Sequence, residues 1–248
     1  MRSSILQNII DFQREAAKIS TVAYGCDGTL NWVLNALGKW PHSIIGTAKT
    51  EALKAVVTKI EQQKLPPIWI MENETAAVQI DQLEKIGFRE INRWEGMWMD
   101  RIHFNQQHET SDQYSMNTVQ NPELLGQWWN IVKPVMMPNR DFSPELLKAW
   151  VEQNEYQLLV GLVNGQAVSA GLSYLNKGVA GLYFIATMPA FRGKGYASRL
   201  VGRLIENCFE KGADEIILHA SMAGRSMYKK IGFIEDGLIS TYWKVGLF

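Results

Sequence analysis

The chain has 248 residues, 46% of them hydrophobic, and its 25 Lys and Arg balance 25 Asp and Glu. That balance excludes a strongly basic nucleic-acid or membrane-surface protein and leaves no long-range field to steer a charged partner. Two domains suit the length. The two cysteines, Cys26 and Cys208, have neither a disulfide framework nor a metal-ligand spacing, which fits a reducing, cytoplasmic compartment and no bound metal.

Taken in chain order, residues 1–20 place Ile5, Ile9, Phe12 and Ala16 on one helical face, while Asp11, Arg14 and Glu15 interrupt any signal-peptide core. No apolar run has the length of a membrane span. The polar stretch HFNQQHETSDQYS, 103–115, reads as a linker. Beyond it, residues 122–136 and 143–153 read as helices, the second with Ser143 as cap and Pro144 in its first turn. Strands at 156–163 and 166–175 flank Asn164-Gly165, a pair suited to a two-residue hairpin turn, and a third strand is expected at 179–187. A helix follows with Ala197, Leu200, Val201, Leu204, Ile205 and Cys208 on one face, ending at Gly212. The chain closes with a buried strand at 215–220, a helix capped by Ser221 and stopped at Gly232, and a strand at 240–245.

Between the third strand and its helix lies AFRGKGYAS, 190–198. A glycine-rich turn opening a helix bares several backbone N–H groups at the positive end of the helix dipole, and phosphate oxygens reach them only where bulky side chains are missing. Arg192, Gly193, Lys194, Gly195, Tyr196 and Ala197 therefore read as a pyrophosphate cradle. No Ser or Thr follows Lys194, so this is not a P-loop, and Ser198 stands where a dinucleotide fingerprint needs its third glycine.

Arg192, Gly195 and Ala197 form an R-x-x-G-x-A motif, and a run from Ser221 through MYKKIGF, 227–233, follows about thirty residues later. With this pair of motifs, residues 115–248 resemble the GCN5-related N-acetyltransferases (GNAT family). The resemblance implies an α/β fold with a mixed sheet, acetyl-CoA as co-substrate without a metal, and a small-molecule or peptide amine as acceptor. It also implies that residues 192–198 hold the pyrophosphate and that Ile185, Ala186, Thr187 and Met188 pair with the pantetheine. By the same resemblance, a backbone N–H near Thr187 or Met188 faces the developing oxyanion. Tyr228 then serves the departing thiolate, and Ser221 stands where relatives place a coenzyme-contacting Asn. No acid lies between Val179 and Thr187, where many relatives carry the general base. His219 is a candidate for that role on its ordinary pKa, Tyr183 could organise a water, and Asp141 and Glu145 lie where relatives gather acceptor contacts. The missing acid motivates an alternative, an acyl-CoA sensor or adaptor without acetyl transfer.

A shift of 145 positions aligns Lys85-Ile86-Gly87-Phe88 with Lys230-Ile231-Gly232-Phe233, and Lys49, Ala52, Val56 and Ile60 with Lys194, Ala197, Val201 and Ile205. Self-similarity of this kind predicts two tandem halves, a degenerate one at 1–108 and a catalytic one at 109–248. The first half has lost the cradle: Thr47–Ala52 lacks glycine and carries Glu51, and Leu83 stands opposite Tyr228. Trp32, Trp40, Trp94 and Trp98 are candidates to line a pocket there. The acceptor and the oligomeric state stay open.

Overall fold

The computed structural model describes residues 2–105, 114–138 and 141–247. Most of the expected linker, 106–113, lies outside the described residues. Two compact units emerge, one from Met1–Gly96 with Asp236–Phe248, the other from Met97–Glu235. These bounds do not coincide with halves divided at 108 and 109, because the closing strand of each half ends in the other unit.

The first unit opens with helix α1 (Ser3–Ile19), whose Ile5, Ile9, Phe12 and Ala16 are buried. Strands β1 (Ala23–Asp27), β2 (Leu30–Leu34) and β3 (Ser43–Ile45) follow, then a single 3₁₀ turn at Thr50–Ala52. Helix α2 (Leu53–Glu61), β4 (Ile68–Glu72), helix α3 (Asn73–Lys85) and the start of β5 (Phe88–Asp100) complete its contiguous part. Leu53, Val56, Val57 and Ile60 recur at helical spacing on α2 and pack with Trp69, Met71, Leu83 and Phe88.

In the second unit, β6 (Tyr114–Thr118) precedes helices α4 (Pro122–Met136) and α5 (Pro144–Glu152). Strands β7 (Tyr156–Val163), β8 (Gln166–Asn176) and β9 (Val179–Thr187) form an antiparallel meander, and a 3₁₀ turn at Pro189–Phe191 leads to helix α6 (Tyr196–Glu210). Strand β10 (Glu215–Ala220) pairs parallel with β9, and helix α7 (Arg225–Ile231) and β11 (Ile234–Lys244) close the chain. The sheet is therefore mixed, as the sequence predicts. Asn164 and Gly165, at φ 50° and 80°, make the expected hairpin turn.

Three local expectations change. The strand expected at 240–245 begins six residues earlier, at Ile234, where the polar IEDG segment hides the alternation. Helix α7 starts at Arg225, not beside Ser221, whose Oγ instead accepts the Gly224 N–H at 3.3 Å. Strand β6 begins at Tyr114, inside the segment read as linker. Its pairing with β7, Tyr114 opposite Val163 through Thr118 opposite Leu159, supplies hydrogen bonds that a polar composition does not advertise.

Both halves run strand, strand, strand, 3₁₀ turn, helix, strand, helix, strand. Gly87 and Gly232 end α3 and α7 with φ of 90° and 118°, the left-handed position that stops a helix without a Cβ clash. Exchange of the closing strands is reciprocal. Met97 and Met99, near the end of β5, pack in the second unit's core with Leu204, Ile216 and Ile231. Strand β11 pairs antiparallel with β4 and sends Tyr242 into the first unit's core.

Candidate functional site

Pairing of β9 with β10 runs from Val179 opposite Glu215 to Leu182 opposite Leu218 and stops, although β9 continues to Thr187. A β-bulge accounts for the break. On the β8 side Ala170 faces Ala186 and Leu172 faces Tyr183, so Phe184 and Ile185 together oppose Gly171. Phe184 takes φ 53°, an outlier for an aromatic residue that costs on the order of 1–3 kcal/mol. Its ring compensates by packing 5.0 Å from Phe142, 5.8 Å from Trp150 and 6.2 Å from Trp128. A Cβ at Gly171 would meet Ile185 Cδ1 at 2.7 Å and Leu200 Cδ2 at 2.8 Å, so any larger residue there would displace these side chains. The Gly171 carbonyl accepts the Trp128 indole N–H at 3.0 Å.

Past the bulge, Met188 N–H donates to Val168 O at 2.9 Å. Hydrogen-bonded pairs alternate along an antiparallel ladder, so the N–H and C=O of Thr187 point to the opposite edge, the one that β10 has left. Of the two donors expected for an oxyanion, Met188 is thus spent on the sheet and Thr187 is directed into the open side. Thr187 O accepts Arg192 Nε at 3.1 Å, which ties the glycine loop back to the strand end, and Thr187 Oγ1 is buried with no hydrogen-bond partner among the described residues.

Gly193 and Gly195 adopt φ of 76° and 77°, and nothing stands within 4 Å of where a Cβ would project at either. Gly195 caps α6 with no side-chain hydrogen bond, and no acid occupies the first turn. Helices α4 and α5 differ: Asn121 accepts Leu124 N–H at 2.9 Å and Ser143 accepts Leu146 N–H at 3.2 Å. The start of α6 thus combines bare N–H groups, the helix dipole and open space, which is the arrangement an anion needs. Lys194 is exposed, its Nζ 5.5 Å from the Phe191 ring, while Tyr196, Ala197 and Ser198 are half-buried on the first turn.

Tyr114, absent from the sequence expectations, clamps this turn. Its ring stacks on Tyr196 at 4.8 Å, and its hydroxyl lies 2.8 Å from Ser169 Oγ and donates to Tyr196 O at 3.2 Å. Arg199 caps both rings, at 4.4 and 5.1 Å. Burial pushes the Tyr114 hydroxyl up to about 12, so it stays a donor. Gly161 makes room, since a Cβ there would fall 2.1 Å from that hydroxyl. The only local signal for this pairing was Tyr114 itself, and a tyrosine at the end of a polar stretch points nowhere by itself.

Tyr228 lies on α7, buried in the cluster that includes Ile185, Leu218 and Ala220, with its ring edge-on to Phe233 at 5.7 Å. Burial pushes its hydroxyl further up, so it stays protonated at neutral pH and can donate. His219, at the end of β10, is half-buried beside the Tyr183 ring at 6.1 Å, and its Nε2 is buried with no hydrogen-bond partner among the described residues. Burial pulls its pKa down to about 4. The imidazole is therefore neutral at pH 7 but a weaker base than an ordinary histidine. Asp141 pairs with Lys133, and Glu145 sits in the first turn of α5. Ser221 is exposed and holds the turn before α7 through its backbone and side-chain oxygens. Of the tryptophans expected to line a pocket, Trp40 packs on Phe12 at 5.2 Å in the first unit, and Trp98 lies edge-on to His103 at 5.6 Å in the second.

Among the described residues no group of three or more His, Cys, Asp or Glu is placed to hold a metal ion, and no helix is long and apolar enough to cross a membrane. Residues 123–233 match the model of the acetyltransferase (GNAT) family. A curated relative, the [ribosomal protein bS18]-alanine N-acetyltransferase of Haemophilus influenzae, is 32% identical over 94 residues, a stretch that spans 37% of this chain and 64% of that protein. In three dimensions the chain is similar to a GCN5-related N-acetyltransferase from Kribbella flavida, with a TM-score of 0.74 at 12% identity over 99% of this chain and 97% of that one. A functionally unknown protein from Staphylococcus epidermidis follows at a TM-score of 0.64 and 15% identity, covering 89% and 92%. The fold is that of this acetyltransferase family.

Proposed function

We propose that the second unit transfers the acetyl group of acetyl-CoA directly to a primary amine, and that the first half is a degenerate copy of the same architecture without coenzyme. One observation carries the reading: an uncapped helix start behind two left-handed glycines stands beside a strand edge that a bulge has released from its neighbour.

The residues present fit the coenzyme. N–H groups from Gly193 to Ser198 would receive the pyrophosphate, with Arg192 and Lys194 at the loop, and the released edge of Ile185–Met188 would pair with the pantetheine as an added strand. Acetyl-CoA supplies the activated acyl carbonyl. Thr187 N–H, preorganised on the open edge, stabilises charge developing on the carbonyl oxygen. Tyr228 donates its hydroxyl proton or a hydrogen bond to the departing sulfur. His219, neutral at pH 7, accepts the amine proton, directly or through a water beside Tyr183.

Support comes from the fold, the family match over 123–233 and the local geometry. The Haemophilus influenzae relative is named for an alanine of ribosomal protein bS18, so an alanyl peptide amine heads the panel of acceptors, followed by small amines. Calorimetry with acetyl-CoA and a thiol-release assay over that panel test the reading. Saturable binding with amine-dependent thiol release is expected, and absence of coenzyme binding overturns it. A second reading, acyl-CoA sensing without transfer, rests on the lack of a carboxylate on β9 and the weak basicity of His219. Tight binding with no thiol release for any amine selects it.

A further inference from the structure

The bulge on β9 decides which amide faces the open edge. On one side of it Leu172 faces Tyr183 and on the other Ala170 faces Ala186, so Val168 comes to accept the N–H of Met188, at 2.9 Å. Without the extra residue the first register would carry on unbroken and bring Thr187 opposite Val168. Thr187 N–H would then be spent on the sheet, and Met188 N–H would turn outward.

The residue at the bulge is not one that takes this backbone easily. Phe184 sits at φ 53°, a region that glycine enters freely and an aromatic residue does not. Rings hold it there. Phe142, buried two residues before α5 begins, lies 5.0 Å from Phe184 and is itself fixed against Trp150 at 4.9 Å and Trp129 at 5.1 Å. Trp128, 6.2 Å from Phe184, is tied by its indole N–H to the carbonyl of Gly171, the residue opposite the bulge. Phe142, Trp128 and Trp150 lie outside β9 and the glycine loop, so whatever they do for the released edge passes through Phe184.

We propose that Phe184 and Phe142 are positioning residues for acetyl transfer: their ring contact holds the backbone in the one register that presents Thr187 N–H, and not Met188 N–H, to the acyl carbonyl. This rests on the proposed function for the role of the carbonyl, while the choice of amide can be measured without coenzyme.

Phe184→Gly and Phe184→Val separate backbone from packing in the full chain, read by amide hydrogen exchange at Thr187 and Met188 and by calorimetry with acetyl-CoA. In the parent, Met188 N–H should exchange slowly and Thr187 N–H fast. Glycine lacks the ring but accepts φ 53°, so it should keep that order and lose no more than about threefold in affinity. Valine fills more of the space but, being β-branched, is strained at positive φ. It should reverse the order of exchange and weaken acetyl-CoA binding by about tenfold or more. Phe142→Ala changes no residue of β9, yet it should slow Thr187, speed Met188 and weaken binding about fivefold; it also keeps the test open should the glycine variant fail to fold. Tighter binding by the valine variant than by the glycine variant, or a folded Phe142→Ala with the parent's exchange order and affinity, overturns the proposal. A parent that binds no acetyl-CoA overturns the proposed function instead, and the exchange order in the variants then decides the choice of amide by itself.

Discussion

The loops at 47–52 and 192–197 occupy the same place in the element order and share Lys49 with Lys194 and Ala52 with Ala197 under the 145-residue shift. Their backbone N–H groups meet different fates. In the first unit the side chain of Gln79, more than nine-tenths buried, accepts Ala48 N–H at 3.0 Å, Thr47 O accepts Thr29 Oγ1 at 2.7 Å, and Glu51 places a carboxylate in the first turn. In the second unit Gly224 stands opposite Gln79, so no amide reaches back, and two glycines replace Ala48 and Thr50. The turn at 47–52 thus has a donor satisfied from within the chain, whereas under the proposed function the start of α6 keeps its N–H groups for an external anion. Under the proposed tandem reading, loss of a ligand site needs no change of fold, only a side chain that satisfies the donors first.

The sharpest way to break this contrast is Gly195→Glu, which adds strain at φ 77° and a negative charge at the helix start. Acetyl-CoA affinity measured by calorimetry should fall by more than about 100-fold, roughly 3 kcal/mol. Gly195→Ala meets no neighbour and should cost only the left-handed strain, about 1 kcal/mol. Affinity unaffected by the glutamate would remove the loop from the site.

Acid is the next lever, because the first unit has Glu74 opposite His219 and therefore no buried imidazole there. The folded pKa of His219, about 4, lies below its ordinary 6.5. The unfolded chain binds the proton first, so this stability is present above pH 6.5 and is lost as pH falls toward 4, up to about 3 kcal/mol. Urea titrations from pH 7 to 4 should show a smaller acid loss in His219→Gln than in the parent, and parallel curves would place the imidazole in solvent.

Tyr228→Phe sharpens the contrast with Leu83, which occupies the corresponding position. Turnover should drop about 10- to 100-fold with coenzyme affinity nearly unchanged, and a matched fall in affinity would indicate a packing role instead. In the first unit, Gln79→Ala should cost about 2 kcal/mol of stability by leaving Ala48 N–H unpaired, without creating coenzyme affinity, because Glu51 and the non-glycine loop remain. Smallest is Tyr114→Phe, which keeps the stack on Tyr196 but drops its hydroxyl contacts to Tyr196 O and Ser169. Coenzyme affinity should weaken about fivefold, near 1 kcal/mol; no change would mean that the ring alone holds the turn.

Local chemistry was legible in the chain. Asn164-Gly165, Ser143-Pro144 and the glycines at 193, 195 and 232 specify turns, a cap and helix ends through constraints acting over a few residues, and the structure has them there. Helix faces such as Leu200, Val201 and Leu204 could be read from spacing because one side must leave water. What required the fold were features set by partners distant in sequence. Phe184 bears no mark of its positive φ, since the bulge arises from packing against Phe142 and Trp150 and from Gly171 beneath α6. Tyr114 becomes a clamp only when β6 pairs with β7 and brings it to Tyr196, 82 positions away. Closing strands exchange between the units because a strand's own residues encode alternation but not the identity of its neighbour.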